Sequence, residues 1–400
     1  MNQWIDTYMY YVLLLFAFAA NISTGATSCA IALGVIFMVA DAIQKKSLPK
    51  ADKTLCKVIG TFLVLQCLVA ANSWGPQHSF GEVYATAYRF LPLFFVMFYI
   101  KEKKQLVEMF TAFIFSVFIN DAYTAYQFFA LPAIRPIGFS STATFLASHM
   151  LMAIPVMYLL WRKSIAANWA KKLAGVTFFF SIVVLYASET RGAWVSFALV
   201  VMIFLLLAKE NRKVILKGAF VILFLVIGLC LFVPSFQSRI VSISNVQTDQ
   251  SNLDRIYMWE SACNIVRDHP VFGVGQDQFV YAYNDYYILP QATHAQPGKH
   301  GFGHPHNNIL QVAAEQGSVG LIAFFLLHGY FLIRLYRQYR QEPGNSYGII
   351  GLLILIGIHL EGMTDSNIGQ VPIMREYWLL MGMLFVGGMF EQKDHNKSSK

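Results

Sequence analysis

The sequence has few charged residues and few cysteines. Only 13% of its 400 residues are Asp, Glu, Lys or Arg, about half of the share in a soluble domain. The five cysteines are scattered and form no C-x-x-C pair, which argues against a metal or redox motif. The low charge excludes a soluble protein, and 56% of the residues are hydrophobic. We therefore expect an integral membrane protein.

Signatures of nucleotide and nucleic-acid binding are missing as well. Gly273 and Gly275 begin a G-x-G-x-x-G pattern, but Gln278 stands where the third glycine belongs, and no strand and helix flank it. No basic stripe carries interleaved aromatic residues, so the net charge of +8 does not indicate nucleic acid as a partner.

Apolar runs predict an all-α polytopic membrane protein with about twelve transmembrane helices. We expect a single integral membrane domain over residues 1–400, with one long hydrophilic loop at 235–318 between helices 9 and 10. The predicted spans are 9–20, 26–43, 55–71, 86–100, 105–130, 143–161, 173–187, 193–208, 218–234, 319–333, 348–364 and 374–391.

The positions of lysine and arginine predict the orientation. Every second connection is basic, and these connections together hold about 21 of the 30 lysines and arginines. By the positive-inside rule they are cytoplasmic, as are both termini. The hydrophilic loop then lies outside.

Basic residues on the predicted outer side run against this bias and suggest anionic partners. They are Arg89, Arg135, Arg191, Arg239, Arg255, Arg267, Lys299 and Arg375. Arg191 lies in a tight hairpin between two apolar runs, so its guanidinium is expected at the membrane surface, where a lipid-linked diphosphate would lie. A local ion pair with Glu189 is the alternative interpretation.

The long loop carries the remaining candidate chemistry. A helix is expected from Ile256 to Arg267, with Asp254 as its cap. His306, where the loop returns to the membrane, is the candidate general base because a histidine titrates near neutral pH. A metal site is the alternative, since histidines cluster nearby, although their spacing matches no recognised ligand pattern and no nearby acidic residue is well placed to complete it. These histidines are His294, His300, His304 and His306.

Three motifs together resemble the superfamily of O-antigen ligases and Wzy-type polymerases, bacterial envelope glycosyltransferases. The resemblance covers about residues 175–335. The first motif is Thr190-Arg191-Gly192-Ala193-Trp194, where Thr190 replaces the usual serine and keeps its hydroxyl. The others comprise Arg255, Trp259, Ala262, Pro270, Gly273, Gly275 and Phe279, and then His306, Asn307, Leu310, Glu315, Gly317 and Gly320.

The resemblance implies a GT-C-like helical fold in the bacterial inner membrane, with a periplasmic loop containing short helices. It also implies inverting glycan transfer, without metal or cofactor, from an undecaprenyl-diphosphate-linked donor to a lipid A-core acceptor. His306 would be the base, and Arg191, Arg255 and Arg135 would bind the diphosphate. Asn307 and Glu315 would support the histidine, although Asn307 also suits a helix start.

Alternative functions stay open. A Wzy-type polymerase shares the motifs, but the single large outer loop and the length near 400 favour a ligase. A protein O-oligosaccharyltransferase would usually be longer, with an added C-terminal region. A secondary transporter or flippase would use the ionisable groups within apolar runs, but the two halves of the chain show no internal repeat. These groups are Asp121, His149, His328, His359 and Glu361.

Overall fold

Helices make up nearly all of the regular structure in the computed structural model. It describes residues 3–47, 49, 52–131, 135–162, 166–207, 249–292, 303–341 and 346–398, with 213, 216, 217, 220 and 237 between them. The first helices are α1 Gln3–Ala19, α2 Thr24–Lys45, α3 Lys53–Ala71, α4 Pro76–Arg89, α5 Leu91–Tyr99, α6 Lys103–Ala130, α7 Ala143–Arg162, α8 Asn168–Ala187 and α9 Arg191–Leu207. Then follow α10 Gln250–Asp268, α11 Phe279–Ala282 with a π-helical turn at Tyr283–Tyr287, α12 Asn308–Gln341, α13 Ser346–Glu361 and α14 Val371–Ser398.

Seven of the described helices are long and apolar enough to cross a membrane: α2, α3, α6, α7, α8, α12 and α14. Three shorter helices, α1, α9 and α13, are also apolar. Because lipid cannot satisfy backbone polar groups, helices of this composition identify a multi-pass membrane protein. Apart from residue 220, the predicted span at 218–234 lies outside the described residues.

Most predicted spans coincide with one helix each, but the span at 86–100 does not. This stretch belongs to two helices, α4 and α5, which meet at Phe90. Pro92 lacks the backbone N–H that would continue the first helix, and its ring would meet the carbonyl of Tyr88. The predicted span at 86–100 thus contains the end of α4 and all of α5, and hydropathy did not reveal α4 as a separate helix because it is polar.

The helices share one large apolar core, in which α1 packs on α2 and α6, α7 on α8, and α5 on α14. Trp378 and Tyr377 of α14 and Tyr99 of α5 are among the largest fully buried side chains. Helix α13 contacts α7, α9, α12 and α14. It therefore joins the hairpin of Arg191 to the segment that carries His306.

A second, smaller core fixes the loop on the start of α12. It contains Met258, Ala262 and Ile265 of α10, Phe279 and Tyr283 of the following turn, and Ala314 of α12. Helix α10 spans the predicted 256–267 but begins earlier. Its cap is Asp249, which accepts from the backbone N–H of Asn252 at 3.1 Å, so the prediction of Asp254 as the cap was wrong.

Candidate active site

His306 stands two residues before the start of α12, in a backbone conformation with φ of 50°, which is uncommon for a residue with a side chain. Asn307 caps the helix: its side-chain oxygen accepts from the backbone N–H groups of Ile309 and Leu310, both at 3.0 Å. Its amide nitrogen donates to the carbonyl of Met363 at 3.1 Å. The cap therefore fixes the start of α12 against the connection between α13 and α14.

Asp365, in that connection, contacts the histidine. Its carboxylate lies 3.1 Å from Nδ1 of His306 and is almost entirely buried. Burial raises the pKa of the Asp365 carboxyl, but the hydrogen bond and the charge of His306 outweigh it and lower this pKa to about 2. The carboxylate is therefore ionised at neutral pH, where it orients the ring and can stabilise an imidazolium.

Two asparagines join the same segments. Asn308 donates to the side-chain oxygen of Asn367 at 2.7 Å and accepts from the backbone N–H of Asn367 at 3.0 Å. The backbone N–H of Asn308 also donates to the carbonyl of Gly362 at 2.7 Å. A Cβ at Gly362 would lie 2.0 Å from the Asn308 side chain, so this close approach requires glycine.

His304 is the second histidine of the site. Its ring centroid lies 4.5 Å from that of His306, with the rings nearly perpendicular. Burial, with a further contribution from His306, lowers the pKa of His304 to about 4, so it is neutral at pH 7. Trp259 of α10 donates from Nε1 to the carbonyl of Pro305 at 2.9 Å, which holds the His-Pro-His segment against the loop helix.

Two of the predicted arginines lie together beside this pair. Arg191, the first residue of α9, reaches Asp249 at 3.4 Å and Ser251 at 3.2 Å through Nη2. Arg255, on α10, interacts electrostatically with Asp365, Arg191 and Asp249. Burial and repulsion from Arg191 lower the pKa of Arg255, as expected where two positively charged side chains lie close together.

Arg135 has a different position. It donates to the carbonyl of Ser188 at 2.7 Å and to the hydroxyl of Thr190 at 2.9 Å. The Thr190 hydroxyl in turn donates to the carbonyl of Ala143 at 3.2 Å. Arg135 therefore braces the hairpin that presents Arg191, and Thr190 uses the hydroxyl that it shares with serine.

Glu315 lies at the kink of α12, which is caused by Gly317 with φ of 59° and ψ of −158°. The kink leaves backbone carbonyls available to the glycine-rich turn: Gly275 donates to Glu315 at 2.7 Å and Val274 to Ala314 at 3.1 Å. A Cβ at Gly273 would lie 2.4 Å from the backbone of Glu315. The two motif glycines therefore allow close packing of loop and helix.

Two groups of residues in the described part of the chain could hold a cation. His304, His306 and Asp365 have ligand atoms within 4.8 Å of one another, and His78, Glu82 and Asp277 form the other set. The expectation that no acidic residue complements the histidines was wrong, because folding brings Asp365 to them. His294 and His300 lie outside the described residues, as do Arg239 and Lys299.

Sequence reasoning missed Asp365, Asn308 and Asn367. The signal available was a polar stretch, Glu361 to Asn367, in a short connection between two apolar runs. From the sequence, Glu361 is a candidate only for a transport path. It is buried and accepts from the Ser148 hydroxyl at 2.9 Å and from the Asn367 amide.

The fold and site define a class: a multi-pass membrane protein with a His–Asp pair and two arginines gathered where a folded loop meets the helices. Residues 176–325 match the family model described as O-antigen ligase. The resemblance predicted from the motifs is thereby confirmed, and this region belongs to the O-antigen ligase superfamily.

Several curated proteins are similar to the chain. Two are named "Putative polysaccharide ligase": the Rickettsia felis protein is 25% identical over 210 residues, covering 50% of this chain and 48% of that protein. The Rickettsia conorii protein is 23% identical over 224 residues, covering 54% and 50%. An uncharacterized Haemophilus influenzae protein is 32% identical over 156 residues, covering 35% and 37%. The aligned part is thus about half of each Rickettsia relative.

Proposed function

We propose that the protein is an O-antigen ligase. It would transfer a glycan from undecaprenyl diphosphate to a hydroxyl of lipid A-core on the periplasmic face of the bacterial inner membrane. The chain would form one membrane domain over 1–400, with about twelve spans, cytoplasmic termini and a periplasmic loop at 235–318. The observation that carries the proposal is the 3.1 Å His306–Asp365 pair beside Arg191 and Arg255.

His306 would take the proton of the acceptor hydroxyl. With Nδ1 directed to Asp365, Nε2 is the nitrogen that would receive this proton. The acceptor oxygen attacks the anomeric carbon as the bond from that carbon to the diphosphate oxygen breaks. Undecaprenyl diphosphate leaves with the bonding electron pair, and the configuration inverts.

Arg191 and Arg255 would hold the diphosphate and neutralise the charge that builds on it as it leaves. Arginine suits this role because its planar fork donates paired hydrogen bonds and stays charged. Arg135 would act by bracing the hairpin of Arg191, and Asn307 and Glu315 by fixing the start of α12. This chemistry requires neither a metal nor a nucleotide sugar, so we expect chelators to leave the rate unchanged.

The test is formation of the lipopolysaccharide ladder in a ligase-deletion strain of matching core type. We expect the wild-type chain to restore the ladder, and His306→Ala and Arg191→Ala to lower transfer by about a hundredfold or more. Arg267→Ala is the matched control, because Arg267 is exposed at the end of α10. All chains are compared at equal membrane abundance.

Rescue of a polymerase deletion instead of the ligase deletion would assign the chain to glycan extension. Rescue of neither strain would contradict lipid A-core as the acceptor. A ladder that survives His306→Ala would contradict the proposed base.

A further inference from the structure

Helices α3, α4, α12 and α14 surround a cavity of about 330 Å³ beside the candidate active site. This volume is at the lower end of the range for small-molecule pockets, about 300–1,000 Å³, and suits a short sugar unit. Aromatic side chains form part of the wall: Phe62, Phe90, Phe324 and Trp378. Aromatic faces offer the flat apolar surface on which the C–H face of a sugar ring packs.

The cavity and the arginine pair approach His306 through different neighbours. His304 belongs to its lining, and the His304 ring contacts the His306 ring. Arg255, in contrast, interacts with Asp365, the other neighbour of His306. His306 is therefore linked to the cavity through His304 and to the arginine pair through Asp365, as expected of a base that serves both acceptor and donor.

Several polar side chains in the cavity lining could form hydrogen bonds with the hydroxyls of a sugar. The buried amide oxygens of Gln276 and Gln311 have no hydrogen-bond partner among the described residues, nor has Nε of Arg89. Buried polar atoms are rarely left without partners, because each costs about 1–3 kcal/mol. Sugar hydroxyls can both donate and accept, so they can satisfy amide oxygens and a guanidinium at once.

The charged groups of the lining distinguish the cavity from the arginine pair. Arg89 is already paired with Glu82 at 3.5 Å, and Asp277 adds a second carboxylate to the lining. A phosphate or acidic sugar would meet more carboxyl groups than cations there. An uncharged sugar would avoid this repulsion, and its hydroxyls would donate hydrogen bonds to the same carboxylates.

We propose that this cavity is the acceptor subsite and that it binds an uncharged glycosyl unit of the acceptor glycan. The inference rests on the proposed transferase function. The subsite would hold the acceptor sugar on one side of His306 while the arginines hold the lipid diphosphate on the other. Selection against charged sugars would follow from its carboxyl groups.

Filling the cavity tests the subsite without touching the candidate base or the arginines. Thr86→Trp introduces an indole from α4, and Gln370→Trp does so from the connection before α14. Phe80→Trp is the matched control, because Phe80 is exposed on α4 and outside the lining. Initial rates of transfer are measured with the full chain in nanodiscs, against lipid-linked donor and against rough lipopolysaccharide as acceptor.

We expect each cavity variant to raise the acceptor KM at least tenfold and to leave the donor KM within twofold, with Phe80→Trp resembling wild type. A methyl hexoside should compete with the acceptor, and the corresponding hexose 6-phosphate should not. An unchanged acceptor KM in a folded cavity variant would overturn the subsite. A raised donor KM would assign the cavity to the donor instead.

The two proposals can fail separately. If the wild-type chain transfers no glycan, the proposed function fails, and the cavity is then tested by binding alone. A methyl hexoside should change the tryptophan fluorescence of wild type but not of Trp378→Phe or Thr86→Trp, because Trp378 lines the cavity. A wild-type response that persists in Thr86→Trp, or no response in wild type, would reject the subsite.

Discussion

The candidate site has a histidine end, His306 with Asp365, and an arginine end, Arg191 with Asp249. The two ends are held in different ways. His306 pairs at 3.1 Å with Asp365, whose side chain is 6% exposed, and its segment is tied by backbone and amide hydrogen bonds to residues 362–367. Arg191 meets Asp249 at 3.4 Å, and that carboxylate is 23% exposed. Solvent screens the second pair more strongly. This difference fits the proposed roles: His306 keeps its orientation as a base, whereas Arg191 can leave Asp249 and bind the diphosphate of the donor.

The largest effect on stability and transfer should come from a substitution at Gly317, which disrupts the packing of α12 behind the histidine end. A Cβ there would lie 2.4 Å from the backbone of Val271, and the φ and ψ values are ones that essentially only glycine adopts. The strain alone is about 1–3 kcal/mol, so Gly317→Ala should lower the unfolding temperature by about 5 °C or more and abolish transfer. Gly329→Ala is the control, since its Cβ meets nothing within 4 Å. Equal melting curves would contradict the packing role of the kink.

The next comparison removes one carboxylate from each end. Asp365→Asn should lower kcat about a hundredfold with little change in KM, because the amide neither fixes the ring as firmly nor stabilises an imidazolium. Asp249→Asn should change kcat less than about threefold, because its partly exposed pair contributes little. Asp365→Glu should restore part of the rate. Equal losses in both asparagine variants would mean that the two ends are held alike.

Hydropathy predicted most of the helices, because long apolar runs have few other stable arrangements in a membrane. It failed at residues 76–99, where a polar helix and Pro92 divide the chain into α4 and α5. The cap of α10 was also misplaced: Asp249 and Asp254 are equally plausible as caps from residue type, and the choice depends on where the chain enters the helix.

The site could be predicted only in part. Motif spacing identified His306, Arg191 and Arg255, which the fold brings close to one another. Asp365 was missed because it lies 59 residues after His306 in a short connection with no motif of its own. Arg135 was assigned to the diphosphate from its predicted side of the membrane, but its contacts with Ser188 and Thr190 depend on tertiary packing.

A smaller effect is expected at the brace of the arginine hairpin. Thr190→Val keeps the shape of the side chain but removes the hydroxyl that accepts from Arg135 and donates to Ala143. Loss of these two hydrogen bonds should loosen the brace of the hairpin and lower transfer by roughly tenfold, mainly through a higher donor KM. Thr190→Ser should retain wild-type kinetics. If the valine variant matched wild type, the hydroxyl would have no part in positioning Arg191.

The smallest effect concerns pH and the burial of His304. Its pKa of about 4 in the folded chain is below the ordinary value of 6.5, so between these pH values the unfolded chain binds the proton first. Stability should therefore fall as the pH is lowered from 6.5 to 4. Asp365, with a pKa of about 2, loses its contribution only below its ordinary value near 3.8, outside this window.

His304→Gln removes this titration while keeping a polar side chain. Its unfolding temperature in detergent should fall by about 2–5 °C less than that of wild type between pH 6.5 and pH 4.5. His269→Gln, in which the altered histidine lies against Trp74, serves as the control and should follow the wild-type curve. If the unfolding temperatures of wild type and His304→Gln fell equally as the pH was lowered, the histidine end would accommodate a charged His304. Its charges would then be screened by solvent, like those of the arginine end.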